Sequence, residues 1–358
     1  MRALDRWLLP YLRQAGQARP PVKHVFVAIA DHFEPFHKTD RAGALERMRR
    51  WRDLYPAAVA DFRDSEGRGP RHSFFYPVEQ YDEEVVGHVA ALCRETGGEV
   101  EMHLHHENDT EATLRTKLAT GAQHLAAHGL LSRHPDGRPA FAFVHGDWAL
   151  ANSGPGGQCC GVPHEIQVLL EEGCYADFTF PSAPDPSQPR RINSLYYVRD
   201  TGLPTALDAG APVRFGIAGP ANHLLLVQGV VALNWKRRKW GLVPRVENSD
   251  LTEFNPPTKE RFDLWLRHAP RIAGLEEWAF VKLHSHGATP ANSKVFLGAP
   301  MRNFHHYLCE EWAAQPDHIL HYVTAREMAN VLHAVEAGQR EFNPAMLTHR
   351  YPPPASSL

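Results

Sequence analysis

The chain is poor in cysteine: Cys93, Cys159, Cys160, Cys174 and Cys309 are the only five in 358 residues. Their number is odd and no pair is spaced C-x-x-C, which argues against a disulfide framework and against a cysteine-built zinc site. Adjacent Cys159 and Cys160 read as small loop residues or a reactive pair. Long apolar runs are also missing. No stretch of about 18 apolar residues occurs, so no membrane span is expected. Residues 1–11 lack the apolar core of about 7–15 residues that a signal peptide needs. A surplus of charge is absent too: the net charge is −3. That balance gives no global reason to expect a nucleic-acid or anionic-membrane partner. Together these absences favour a reducing, cytoplasmic setting.

Histidine is what the chain has in quantity, with 23 copies. Their placement is more informative than their number. In the segment 98–109, residues 99–105 alternate as a strand does, with period two. Val100, Met102 and Leu104 share an apolar face, while Glu99, Glu101, His103 and His105 share the other. An ionisable face inside a buried strand is costly unless something there uses it. Two imidazoles at i and i+2 form a compact pair of nitrogen ligands for a divalent transition metal.

Three further apolar runs end in His or Asp. Residues 25–30 run into Asp31-His32, residues 141–144 into His145-Gly146-Asp147-Trp148, and residues 278–283 into His284-Ser285-His286. Sites of α/β barrels and open α/β sheets lie at the carboxyl ends of strands. Four strands ending this way therefore predict one shared site.

Strand and helix signals alternate through the chain. Strands are predicted at 24–31, 71–76, 99–105, 141–145, 175–180, 224–235, 278–284 and 318–323, with a short hairpin element at 193–198. Helices are predicted at 41–63, 79–95, 110–128, 163–172, 259–272 and 324–333, with Thr258 as an N-cap and Thr324 opening a capping box. This order argues for a single α/β barrel-like domain over 23–340. Residues 1–22 read as a preceding helix and 341–358 as a loose tail.

The strand-end motifs resemble the polysaccharide deacetylase superfamily (the NodB homology domain, carbohydrate esterase family 4 and relatives). Gly98 to His105 is similar to that family's metal-binding motif. Ala28 to His32 is similar to its first motif, an apolar strand ending in paired acids. Val281 to His284 is similar to its late motif, which carries the catalytic histidine. The resemblance covers about 24–290. It implies a distorted (β/α) barrel of about seven strands and metal-dependent removal of acetyl groups from a carbohydrate.

On that resemblance, Asp31, His32, His103 and His105 are the expected ligands of a divalent ion, most simply zinc. The family's acid pair is Asp31-His32 here, so either residue stands as ligand or base. The family's second histidine lies where Glu107 stands, and its arginine-bearing third motif gives way to His145-Gly146-Asp147-Trp148.

Chemistry assigns the remaining roles. His284 is the expected acid for the leaving group, and Asp31 or Asp147 the base. His145, Trp148, Lys282 and His286 are expected to contact substrate, with Lys282 equally suited to a structural ion pair with Glu99 or Glu101. Tyr196, Tyr197, Trp235 and Trp240 are aromatic candidates for sugar stacking. The basic run 235–240 could meet an acidic group on the substrate. Other metal-dependent hydrolases of amidohydrolase type, and a glycan-binding barrel without turnover, are the competing readings.

Overall fold

The computed structural model describes residues 3–357. Its centre is the apolar run that becomes β1, His24–His32, buried along its whole length. Alternation sends its side chains into two different cores. Val25, Val27 and Ile29 pack with Met48, Trp51 and Tyr55, whereas Phe26, Ala28 and Ala30 pack with Phe75, Ala142 and Phe178. A strand covered on both faces belongs to a mainly parallel sheet with layers on each side.

Strands β2 (Ser73–Pro77), β3 (Glu99–Leu104), β4 (Pro139–His145) and β5 (Cys174–Asp177) follow β1 in spatial order, each parallel to the last. Strand β6 is Leu195–Val198 and β7 is Leu224–Val227. Strand β7 pairs parallel with β5, and β6 closes antiparallel onto β7. On the other flank, β8 (Leu275–Ser285) runs parallel to β1 from His24 to Asp31. Strand β9 (Ile319–Tyr322) pairs with the first half of β1, leaving the second half to β2. Short strands Ala211–Pro212 and Arg271–Ile272 extend the two edges and Ser132–Arg133 pairs antiparallel with β4, giving a twelve-stranded, mostly parallel sheet. The ladder does not close continuously, but an isolated bridge joins Arg214 to Ala273 across the two edges.

Among the described residues there are nine α-helices: α1 Leu4–Ala15, α2 Arg41–Val59, α3 Glu83–Thr96, α4 Glu111–Ala127, α5 Glu165–Glu171, α6 Lys259–His268, α7 Pro290–Phe296, α8 Ala299–His306 and α9 Ala325–Glu336. Local chemistry sets most of their starts. Asp82 accepts from the Glu84 and Val85 amides, and Thr258 from the Arg261 amide. Thr324 and Glu327 form the expected capping box. None of the helices is long and apolar enough to cross a membrane.

Several expectations change. Helix α1 ends at Ala15, short of Pro20-Pro21. The predicted strand 224–235 divides into β7 and a separate hairpin, Ala232–Lys239 with Val243–Glu247. The hairpin carries the basic run, with Trp235 54% and Trp240 85% exposed. Tyr196 is buried and donates to Leu207 O, and Tyr197 is buried and donates to Glu336. These two rings are core residues, unavailable for sugar stacking.

The C-terminal segment is not loose where it follows α9. Every residue of α9 is buried, and Met346, Leu347 and Tyr351 pack against it. Asn330 holds this segment with four hydrogen bonds. Its amide donates to Leu347 O and Tyr351 O, both at 2.8 Å, and its carbonyl accepts from Arg350 N and Tyr351 N. Asn330→Ala would strand these partners beneath the surface. Such groups cost about 1–3 kcal/mol when left unpaired. We expect a stability loss of that size in urea unfolding, with new protease cleavage within 344–351. Unchanged stability and protease resistance would show that the apolar anchors alone hold the segment.

Candidate metal centre

The site lies where β1, β3 and β8 end. The alternation of β1 continues past its last residue. Phe33 turns outward against Trp51 and Phe74, so His32 and Glu34 turn inward together. His103 and His105 come from the inner face of β3, and His284 and His286 from the end of β8. The ring of His32 lies 5.1 Å from that of His103, 4.9 Å from His286 and 6.1 Å from His284. Three of these five imidazoles reach the carboxylate of Glu34.

Glu34 is the hub. Its Oε1 lies 3.3 Å from His103 Nε2 and 3.1 Å from His105 Nε2, and its Oε2 lies 2.9 Å from His286 Nδ1. Ligand atoms of Glu34, His103 and His105 all fall within 4.8 Å of one another, close enough to share a metal ion. His103 Nδ1 is 2.8 Å from Val144 O. A carbonyl only accepts, so Nδ1 carries the proton and Nε2 turns its lone pair toward Glu34. A lone pair facing a carboxylate oxygen is repulsive without a cation or an added proton between them. Donation of the far nitrogen to a backbone carbonyl is also the usual support of a metal-ligating histidine. His32 Nε2 is buried with no hydrogen-bond partner, a second nitrogen for which such an ion would account.

Electrostatics follow from this crowding. Burial acts to raise the Glu34 pKa, but His103, His105 and His286 hold it well below the usual carboxylate range. Burial disfavours a charged His105, yet Glu34 and Glu79 push its pKa up to about 10. His32 and His284 move the other way. Burial, together with neighbouring histidines and Lys282, holds both well below the ordinary imidazole range. His103 is fully buried, whereas His105 and His286 are about one-third exposed. The site therefore opens to solvent along its His105–His286 edge.

Other expected members lie elsewhere. Asp31 points across β1 from His32. Its Oδ2 accepts from His72 Nε2 at 3.0 Å and its Oδ1 accepts from Gly287 N at 2.6 Å. His72 in turn meets Tyr55. Both Asp31 oxygens are thus engaged on the helix-covered face, and Asp31 is not among the three groups whose donor atoms cluster; it holds the Gly287 amide beside His286. His145 is wholly buried beside His106 and Glu165, which rules out its expected contact with substrate. Asp147 is exposed, adopts a positive φ of 53° and contacts none of the six clustered residues; Trp148 is half-buried beside it.

Lys282 is fully buried beneath His284. It donates to Phe180 O at 3.1 Å and faces Asp177. The expected alternative, a pair with Glu99 or Glu101, is not formed, because Arg326 takes Glu99 and Tyr175 takes Glu101. Burial pushes Lys282 down to about 7 and Asp177 up to about 7. With no exposed surface, Lys282 cannot touch a substrate as expected; it sits under the site.

Sequence reasoning missed Glu34. The available signal was its i+2 spacing from His32, the same spacing that marked His103 and His105. No family model and no curated protein matches this chain.

Proposed function

We propose that this chain is a metal-dependent hydrolase of deacetylase type, built on a distorted (β/α) barrel of about seven strands that the Arg214–Ala273 bridge draws together. The observation that carries the reading is the convergence of His32, Glu34, His103, His105, His284 and His286 at the strand ends. In an α/β fold this is where sites are built. Glu34, His103 and His105 would hold the ion, with His32 and His286 beside them. Imidazole and carboxylate donors suit zinc. A divalent ion there supplies carbonyl polarisation and a water of lowered pKa.

The chain's own residues supply the proton chemistry. His284 is neutral at rest because burial and Lys282 disfavour its charge. Its Nδ1 has no partner, so it can take a proton from the attacking water and return it to the leaving nitrogen or oxygen. Asp31 fixes the turn after His284 through the Gly287 amide. The carbohydrate substrate and the acetyl group follow from the motif resemblance. The five free cysteines support a cytoplasmic setting.

The test is acetate release from a panel of N- and O-acetylated oligosaccharides. Dialysis against a chelator is expected to abolish release, and added Zn²⁺ to restore it. A zinc-loaded chain that releases no acetate from any member would overturn the deacetylase reading.

A further inference from the structure

A second cluster lies behind the first and belongs to none of the chemistry above. His106 follows β3, His145 ends β4, Cys160 sits in the long loop after β4, and Glu165 opens α5. One nitrogen, sulfur or oxygen atom from each falls within 4.8 Å of all the others. All four side chains are buried, with Cys160, His145 and Glu165 completely so.

Glu165 Oε1 lies 3.1 Å from His106 Nε2 and 3.3 Å from His145 Nε2. Its Oε2 lies 3.4 Å from Cys160 Sγ and accepts from Ala151 N at 2.6 Å. His145 Nδ1 is engaged by Gly146 O. As with His103, this leaves the Nε2 lone pair aimed at a carboxylate oxygen, and that atom has no hydrogen-bond partner. His106 Nδ1 stands 3.1 Å from Asp109, whose carboxylate Lys117 and Thr113 hold. His145 thus has an outer hydrogen bond, whereas His106 Nδ1 is buried near Asp109 without one, and both imidazoles turn Nε2 to a common point.

We infer that His106, His145, Cys160 and Glu165 form a second, structural zinc site. The donor set is two imidazoles, a thiolate and a carboxylate, a tetrahedral complement with soft sulfur. Four protein donors leave no open position, and the burial of all four keeps solvent out, which separates it from the catalytic type.

Its role follows from what it joins. The loop between β4 and α5 has little regular structure, and Asp147, Trp148, Ala151, Asn152 and Cys159 in it all take positive φ. An ion bound to Cys160 and Glu165 ties that loop to the ends of β3 and β4. It also steadies the first site. His106 follows His105 directly, and Gly146 lies so close to His105 that an added Cβ would sit 2.4 Å from its ring.

Cobalt substitution tests the assignment without depending on turnover, because the first cluster contains no sulfur. The Co²⁺-loaded protein is expected to show a near-ultraviolet thiolate-to-cobalt charge-transfer band. The band should be lost in Cys160→Ser, kept in Cys159→Ser, and kept in Glu34→Ala. A wild-type protein without the band, or a Cys160→Ser protein that retains it, overturns the site. Should Cys160→Ser fail to fold, X-ray absorption on zinc-loaded Cys159→Ser protein decides. A sulfur neighbour at zinc supports the site, and nitrogen and oxygen neighbours alone overturn it.

Discussion

Glu34→Ala is expected to bind the ion of the first site about 100- to 1000-fold more weakly and to lose acetate release with it. Structural zinc sites are worth roughly 10–16 kcal/mol near pH 7. Shared among four coordination positions, three of them Glu34, His103 and His105, that is about 2.5–4 kcal/mol per position, or roughly two to three decades. Glu34 warrants a full share because three imidazole nitrogens converge on its two oxygens. Its loss also removes the negative charge that would balance a divalent cation among the imidazoles. Metal content after dialysis, read beside acetate release, checks the result. A Glu34→Ala protein with its full metal complement and full turnover would falsify the central role given to this carboxylate. The second cluster should keep its ion in this variant, so the expected change is loss of part of the metal.

His284→Ala is expected to keep its fold and its metal and to lose roughly 10²–10⁴-fold in turnover, the usual contribution of a positioned acid or base. The geometry separates this residue from the ligands. His284 is not one of the three groups whose donor atoms cluster within 4.8 Å, and its ring lies 6.1 Å from that of His32. A group that acts only in the transition state lowers kcat and kcat/KM together while leaving metal affinity alone. Metal loss in His284→Ala would make it a ligand, and full activity would remove it from the chemistry.

The parts of this protein legible in its sequence were those set by local periodicity. The apolar runs of β1, β4 and β8 announced buried strands, because a sheet covered on both faces leaves no polar alternation to interrupt them. The split of β3 into an apolar and an ionisable face was readable residue by residue: Val100, Met102 and Leu104 join the outer core, while His103 and His105 turn to Glu34. Capping chemistry placed the starts of α6 and α9, since an N-cap needs only residues within one turn. Helices α7 and α8 went unassigned between the last two core strands, being short and lacking a sustained apolar stripe.

What only the tertiary structure decided was which partner each polar group would take. Asp31 and His32 are adjacent in sequence, and the pleat of β1 alone dictates that they face opposite ways; it does not say which side holds the histidines. The packing of α2 brings Tyr55 and His72 to one face, and the ends of β3 and β8 bring four imidazoles to the other. Glu34 becomes the hub because the outward turn of Phe33 into the Trp51–Phe74 core swings it back inside. Cys160 and Glu165 meet His106 and His145 only through the path of a loop rich in positive φ. Periodicity fixes the face of a side chain within its own element, whereas its partners depend on which elements the sheet order and the layers above it bring together.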